Sequence, residues 1–156
     1  MAVEQTLVLL KPDALARGLI GQVLSRLEGR GLQLVGLKMM SLDKAKCEEH
    51  YAHLAGKPFY PGLVSFMTSS PIVALVVSGP EAVKVVRDMC GPTNARNAPA
   101  GTIRGDYSLS TQYNIIHASD SLETAQKEVA RFFRKEELYR WERALDKLTA
   151  AADEKK

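Results

Sequence analysis

The chain has 156 residues, 25% of them charged and 46% hydrophobic, with a formal charge of +3. That length suits one domain, 1–156, with a core that needs no staples, and the mild charge gives no sign of a nucleic-acid or membrane surface. Cys47 and Cys90 stand in no CxxC pair or metal-ligand spacing, which reads as free thiols in a reducing compartment, with a disulfide between them left open.

Thr6–Leu10 predicts a buried strand, stopped by Lys11-Pro12-Asp13. It is too short for a signal sequence, and no segment reaches membrane-spanning length, so a cytoplasmic home is expected. Asp13 is placed to cap a short helical turn. Leu19–Glu28 predicts a helix with Ile20, Val23, Leu24 and Leu27 on one face, ended by Gly29 and Gly31. Leu32–Met40 alternates as a second strand. Asp43 then caps a helix reaching about Leu54. After the turn-rich stretch Gly56–Gly62 comes a short helix, Leu63–Met67. Pro71–Ser78 is the third strand, and Pro80 opens a helix over Glu81–Met89. Gly91–Asp106, rich in glycine and proline, predicts a long functional loop. Asn114–His117 is a short fourth strand, and Ser121 caps the helix after it. Lys135–Asp153 predicts a last helix with Leu138, Trp141, Leu145 and Leu148 on one stripe. The element order suggests an α+β, ferredoxin-like antiparallel sheet with helices over one face and an inserted helical pair.

His117 stands at the end of the strand-like Asn114-Ile115-Ile116, followed by small and polar residues. A neutral imidazole so placed can attack phosphorus. Glu128, on the next helix, could fix its tautomer, with Ser119 orienting the carboxylate; a core or surface histidine and a solvated glutamate are the alternatives. Lys11, Arg87 and Arg104, each a surface charge if alone, would together stabilise a phosphoryl group in transfer. Thr93 and Asn94 add neutral donors. Phe59, stiffened by neighbouring prolines, could stack on a base with Leu63 framing the slot, or plug the inserted helices. Tyr51 could donate its hydroxyl. Neither a Walker loop nor a GxGxxG after a strand occurs. His50 and His53, one helical turn apart, are a weak metal signal, and no protein-held metal is expected.

These residues, in this order, resemble the nucleoside diphosphate kinase family from Thr6 to Leu138. The active-site signature N-x-x-H-[GA]-S-D reads Asn114–Asp120. Other similar segments are Leu10–Asp13, Arg17–Gly21, His50-Tyr51, Lys57–Phe59, Gly91–Asn94 and Gly101–Asp106. The resemblance implies a ping-pong kinase that moves a phosphoryl group between nucleotides through phosphohistidine on His117, with broad base tolerance. It implies Lys11 at the sugar hydroxyl and terminal phosphate, Arg87, Thr93 and Arg104 on the phosphates, and Asn114 at the sugar. Tyr51 would position the reacting group, Phe59 would stack on the base beside Leu63, and Glu128 and Ser119 would orient His117. Mg2+ is expected, held by phosphate oxygens and water. A homo-oligomer is implied, a hexamer favoured and a tetramer possible.

The chain departs from the family pattern at Ala95 and Ala100, which bear on assembly, and at Leu54, where many bacterial members have histidine. Its tail, a helical extension from about residue 139, is longer than in many bacterial relatives. Two rival readings are a nucleic-acid-binding or regulatory module on the same fold and a histidine phosphotransferase acting on proteins. Retention of every catalytic position favours the nucleotide kinase.

Overall fold

The computed structural model describes residues 3–144, Leu148 and Ala151. Its centre is an antiparallel four-stranded sheet of β1 (Val3–Leu10), β2 (Gln33–Met40), β3 (Ile72–Pro80) and β4 (Ile116–Ala118), in the order β2-β3-β1-β4. This is the α+β, ferredoxin-like arrangement that the element order suggested.

Helices cover both faces of the sheet, where the sequence pattern suggested one. Alternation in β1 sends Val8 and Leu10 to one side, with Val73, Leu75 and Val77 of β3. There they meet Val23 and Leu27 of α2 (Ile20–Gly29). A short α1 (Pro12–Ala16) precedes that helix. Leu7 and Leu9 point the other way, with Ala74 and Val76. They meet Cys47 of α3 (Lys44–His50) and Leu63, Val64 and Met67 of α4 (Tyr60–Met67). Val86 and Cys90 of α5 (Ala82–Cys90) join the first side. Val129 and Phe132 of α7 (Leu122–Phe132) join the second. Burial on both faces explains why β1 and β3 read as continuous apolar runs.

Four local expectations change. Pro80 ends β3, and Glu81, with φ 48°, turns the chain into α5. The 91–106 segment is not structureless: it holds a 3-10 turn, Ala95–Asn97, and α6 (Ile103–Tyr107). Asp13 lies inside α1 instead of capping it, and its Oδ2 accepts from Ile115 N at 3.0 Å. After a 3-10 turn at Lys135–Glu137, residues 138–143 are not helical.

That last stretch lies against the edge strand β2, whose carbonyls have no further strand to pair with among the described residues. Tyr139 N donates to Val35 O at 2.9 Å and Trp141 Nε1 to Leu34 O at 3.1 Å. Gly36 makes the approach possible, since a Cβ there would stand 3.0 Å from Leu138 Cδ2 and 3.1 Å from Phe133 Cε1. Of the predicted apolar stripe, Leu138 packs against the second side, Trp141 is exposed, Leu148 is helical and exposed, and Leu145 lies outside the described residues.

Candidate active site

Sheet register decides where the imidazole goes. His117 pairs with Leu9 across β1 and β4, so its side chain emerges on the Leu7/Leu9 face. α3 and α7 cover that face and bring His50, Tyr51 and Glu128 to the ring. His117 Nε2 lies 3.0 Å from Glu128 Oε2, which also accepts from Ser119 Oγ at 2.6 Å. Burial by itself would raise the Glu128 carboxyl, but the His117 hydrogen bond and charge, aided by Ser119, outweigh it and hold it at about 2. Glu128 is thus a carboxylate at neutral pH, and Nε2 is the nitrogen that carries the hydrogen-bonded proton.

The strand leading to His117 is strained. Ile115 has φ 71°, an outlier for a β-branched residue. Two bonds pin it: Asp13 Oδ2 accepts its N–H, and its carbonyl accepts from Lys11 N at 2.8 Å. This twist lets Asn114 and His117 line the same cleft.

The cleft has a volume of about 810 Å3. Every candidate residue but Ser119 and Asn94 lines it; Ser119 sits behind, fully buried, against Glu128, and Asn94 turns its Oδ1 to Arg96 N. Lys11, at the end of β1, is 7% exposed and donates Nζ–H to Asn114 Oδ1 at 2.6 Å. Asn114 spends both amide protons on the carbonyls of Thr93 (2.9 Å) and Thr111 (2.8 Å). Arg104 is 5% exposed and donates to Gly91 O at 2.7 Å and Ile116 O at 2.6 Å, while its Nε finds no partner. Two glycines allow this placement. A Cβ at Gly91 (φ 75°) would sit 2.7 Å from Thr102 Oγ1, and one at Gly105 would sit 2.0 Å from Pro99 O. Arg87 is more exposed and donates weakly to Ala118 O at 3.4 Å.

The bonds that Lys11 and Arg104 make go to neutral oxygens. Burial, helped by Arg104, pushes the Lys11 ammonium down to about 8, and burial also lowers Arg104. Two buried cations without a bonded anion form a site that an anionic ligand would stabilise. The buried Tyr51 hydroxyl, also without a partner, lines the same space. At the mouth, Phe59 is 51% exposed while Leu63 below it is buried, a half-open apolar slot.

Sequence reasoning weighed His50 only as a weak metal signal with His53 and gave it no part beside His117. Its ring is 3% exposed and meets the His117 ring edge-on, with centroids 4.6 Å apart. Burial, then the charge of His117, holds it down at about 3, against the pull of Glu128. Its place directly before Tyr51 and its spacing to His53 were the signals the sequence offered. His50, His117 and Glu128 offer ligand atoms within 4.8 Å of one another. Glu128 already accepts two hydrogen bonds and the Arg131 guanidinium faces His50, so the trio is hostile to a further cation.

The family model for nucleoside diphosphate kinase matches residues 4–138. The chain belongs to the nucleoside diphosphate kinase family. A nucleoside diphosphate kinase of Staphylothermus marinus is 52% identical over 141 residues, 90% of this chain and all of its own length. One from Thermomicrobium roseum is 51% identical over 92% of this chain and 97% of its own. Among solved structures, a halophilic nucleoside diphosphate kinase from Halobacterium salinarum in complex with CDP superposes with a TM-score of 0.93, at 44% identity, covering 96% of this chain and 99% of that one. The Borrelia burgdorferi nucleoside-diphosphate kinase, a transition-state mimic with bound vanadate and ADP, gives 0.89 at 34% identity, covering 94% of this chain and 96% of that one. Among the described residues no helix is long and apolar enough to cross a membrane.

Proposed function

We infer that the chain is a single-domain nucleoside diphosphate kinase that carries the phosphoryl group on His117 Nδ1. The observation that carries this is the engagement of Nε2 by Glu128, which leaves the Nδ1 lone pair free towards the cleft. That lone pair attacks the terminal phosphorus of a nucleoside triphosphate. The bond to the bridging oxygen breaks, its electron pair stays with the departing nucleoside diphosphate, and an N–P bond forms. The proton stays on Nε2, and Glu128 balances the positive ring. A second nucleoside diphosphate then attacks the phosphorus and takes the group away, returning the neutral imidazole.

The other candidate residues divide the binding work. Lys11, Arg87 and Arg104 hold the phosphates, with Thr93 as a neutral donor. The Tyr51 hydroxyl positions the transferred group. Asn114 Oδ1 retains acceptor capacity for a sugar hydroxyl. Phe59 stacks on the base with Leu63 beneath it, and a contact through ring faces tolerates every base. Mg2+ would arrive with the triphosphate and neutralise part of its charge. The residues fit that arrangement, because Glu128 is committed to His117 and Ser119, and the phosphates and water would supply the ion's main ligands.

We propose a homo-oligomer, a hexamer in preference to a tetramer. Exposed Leu37 and Met39 on β2 suit burial against another copy. A cytoplasmic setting agrees with the free thiols of Cys47 and Cys90. The test is brief incubation with γ-labelled triphosphate. Acid-labile label on His117, chased rapidly by nucleoside diphosphates of any base and absent from His117→Ala, is the expected result. Turnover surviving in folded His117→Ala would defeat the reading.

A further inference from the structure

Arg131 follows Glu128 by one turn of α7, on the same side of the helix. Its Nε donates to Glu49 Oε1 at 2.8 Å, and its Nη1 lies 3.3 Å from His50 Nδ1. A guanidinium has only donors. The contact therefore requires a lone pair on His50 Nδ1, and the neutral ring must carry its proton on Nε2. There the proton is buried without a partner. The other tautomer would serve the ring better. Nδ1 is 3.8 Å from Glu128 Oε1, and an N–H there would need less than about 1 Å of closure to donate to the carboxylate. The ring sits in the worse-satisfied of its two forms, and Arg131 is the group that opposes the better one.

We propose that Arg131 is a positioning residue which, by donating to His50 Nδ1, keeps His50 from bonding to Glu128 and so reserves that carboxylate for His117. The inference rests on the phosphohistidine reading and adds a residue to it. The charged and titratable groups around His50 are Glu128 and Arg131 of α7, His117 of β4, Glu49 of α3, which pairs with Arg131, and Tyr51 and His53 further along the chain. Of these, burial, His117, Arg131 and His53 oppose a proton on His50 and Glu128 invites one. Without Arg131, Nδ1 takes a proton and binds Glu128 Oε1. One carboxylate then serves two imidazoles, and the Nε2–H bond that stabilises the charged His117 ring weakens. In acid the second imidazole is itself a cation, centred 4.6 Å from the His117 ring.

The experiment compares single-turnover labelling of His117 in the parent, Arg131→Met, Arg131→Lys, His50→Phe and the Arg131→Met/His50→Phe double variant. Rates are normalised to the labelled amplitude, so an unfolded fraction drops out. Ratios to the matched background cancel the nucleotide's own titration. The Arg131→Met ratio is expected to fall roughly threefold or more between about pH 8 and about pH 5.5. Arg131→Lys, which still has a donor, is expected to follow the parent. In the His50→Phe background the Arg131→Met ratio is expected to be flat. Nitrogen-15 shifts of His50 are expected to show the proton on Nε2 in the parent and on Nδ1 in Arg131→Met. A flat Arg131→Met ratio, an acid loss that persists without His50, or a proton that stays on Nε2 overturns the inference. A parent that takes no label on His117 defeats the phosphohistidine reading and this inference with it; a labelled parent with a flat ratio defeats this inference alone.

Discussion

Glu128→Gln isolates the charge that faces the nucleophile. Glutamine has nearly the same shape and retains a carbonyl that can accept from His117 Nε2. What it loses is the negative charge opposite the ring at the moment Nδ1 bonds to phosphorus. That charge is firmly held: against burial, which pulls the carboxyl upward, the His117 hydrogen bond and charge and the Ser119 hydroxyl keep it near 2 instead of 4.5. That difference is worth about 3 kcal/mol between the two protonation states. Glu128 is 3% exposed, so solvent screens little of it. A hydrogen bond from the charged ring to a buried carboxylate is worth up to about 3 kcal/mol, and a neutral acceptor returns roughly 1 kcal/mol. The remaining loss of about 2 kcal/mol is a 10- to 100-fold slower phosphorylation. Rapid-quench labelling with saturating triphosphate reads that step directly. A labelling rate within twofold of the parent would refute the argument, because it would mean that the ring's charge is balanced elsewhere.

Acid should unfold the chain through the same cluster. His50 binds a proton near 6.5 when unfolded and only near 3 when folded, so the unfolded state holds the extra proton between those values and stability falls as the pH drops from about 6.5 towards 3. Glu128 adds to the loss from 4.5 down to about 2; urea melts should show a decline of a few kcal/mol, and His50→Phe should flatten its upper part. Asp13→Ala removes the acceptor that holds Ile115 N in its left-handed turn. It should cost about 1–3 kcal/mol of stability and slow His117 labelling, while Asp13→Asn, which can still accept, should stay near the parent in both measurements.

The elements that the sequence displayed are those whose causes are local. Periodicity marked α2, and Asp43 and Ser121 cap α3 and α7, each accepting a backbone N–H. The apolar runs of β1 and β3 were visible, but a run apolar on every residue says that both faces are buried and not what buries them. The tail misled for a related reason. Leu138 and Trp141 have helical spacing, yet the unpaired carbonyls of Leu34 and Val35 at the β2 edge draw this stretch onto the sheet. Asp13 looked like a cap, because nothing in the sequence shows that Ile115 N, far along the chain, would need its carboxylate.

Residues that would touch substrate were legible because their chemistry is carried by the side chain itself: an imidazole, three cations, a stacking ring. Residues that act on other residues were legible only where they follow His117 closely in the chain, as Ser119 and Glu128 do. His50 and Arg131 acquire their significance only when α3 and α7 pack side by side over the Leu7/Leu9 face, and neither spacing nor composition encodes that meeting. The same packing explains why the site has so many unsatisfied groups. Tyr51 Oη, Arg104 Nε and His50 Nε2 are buried without partners, each at a cost of about 1–3 kcal/mol. Tyr51 and Arg104 face the cleft, where the oxygens of a phosphate chain would meet them. His50 lines the same cleft, but what puts its proton on Nε2 is Arg131, which holds the other nitrogen. A ring kept in its worse-satisfied form by a neighbouring guanidinium calls for a role inside the protein, and the carboxylate beside it is where that role leads.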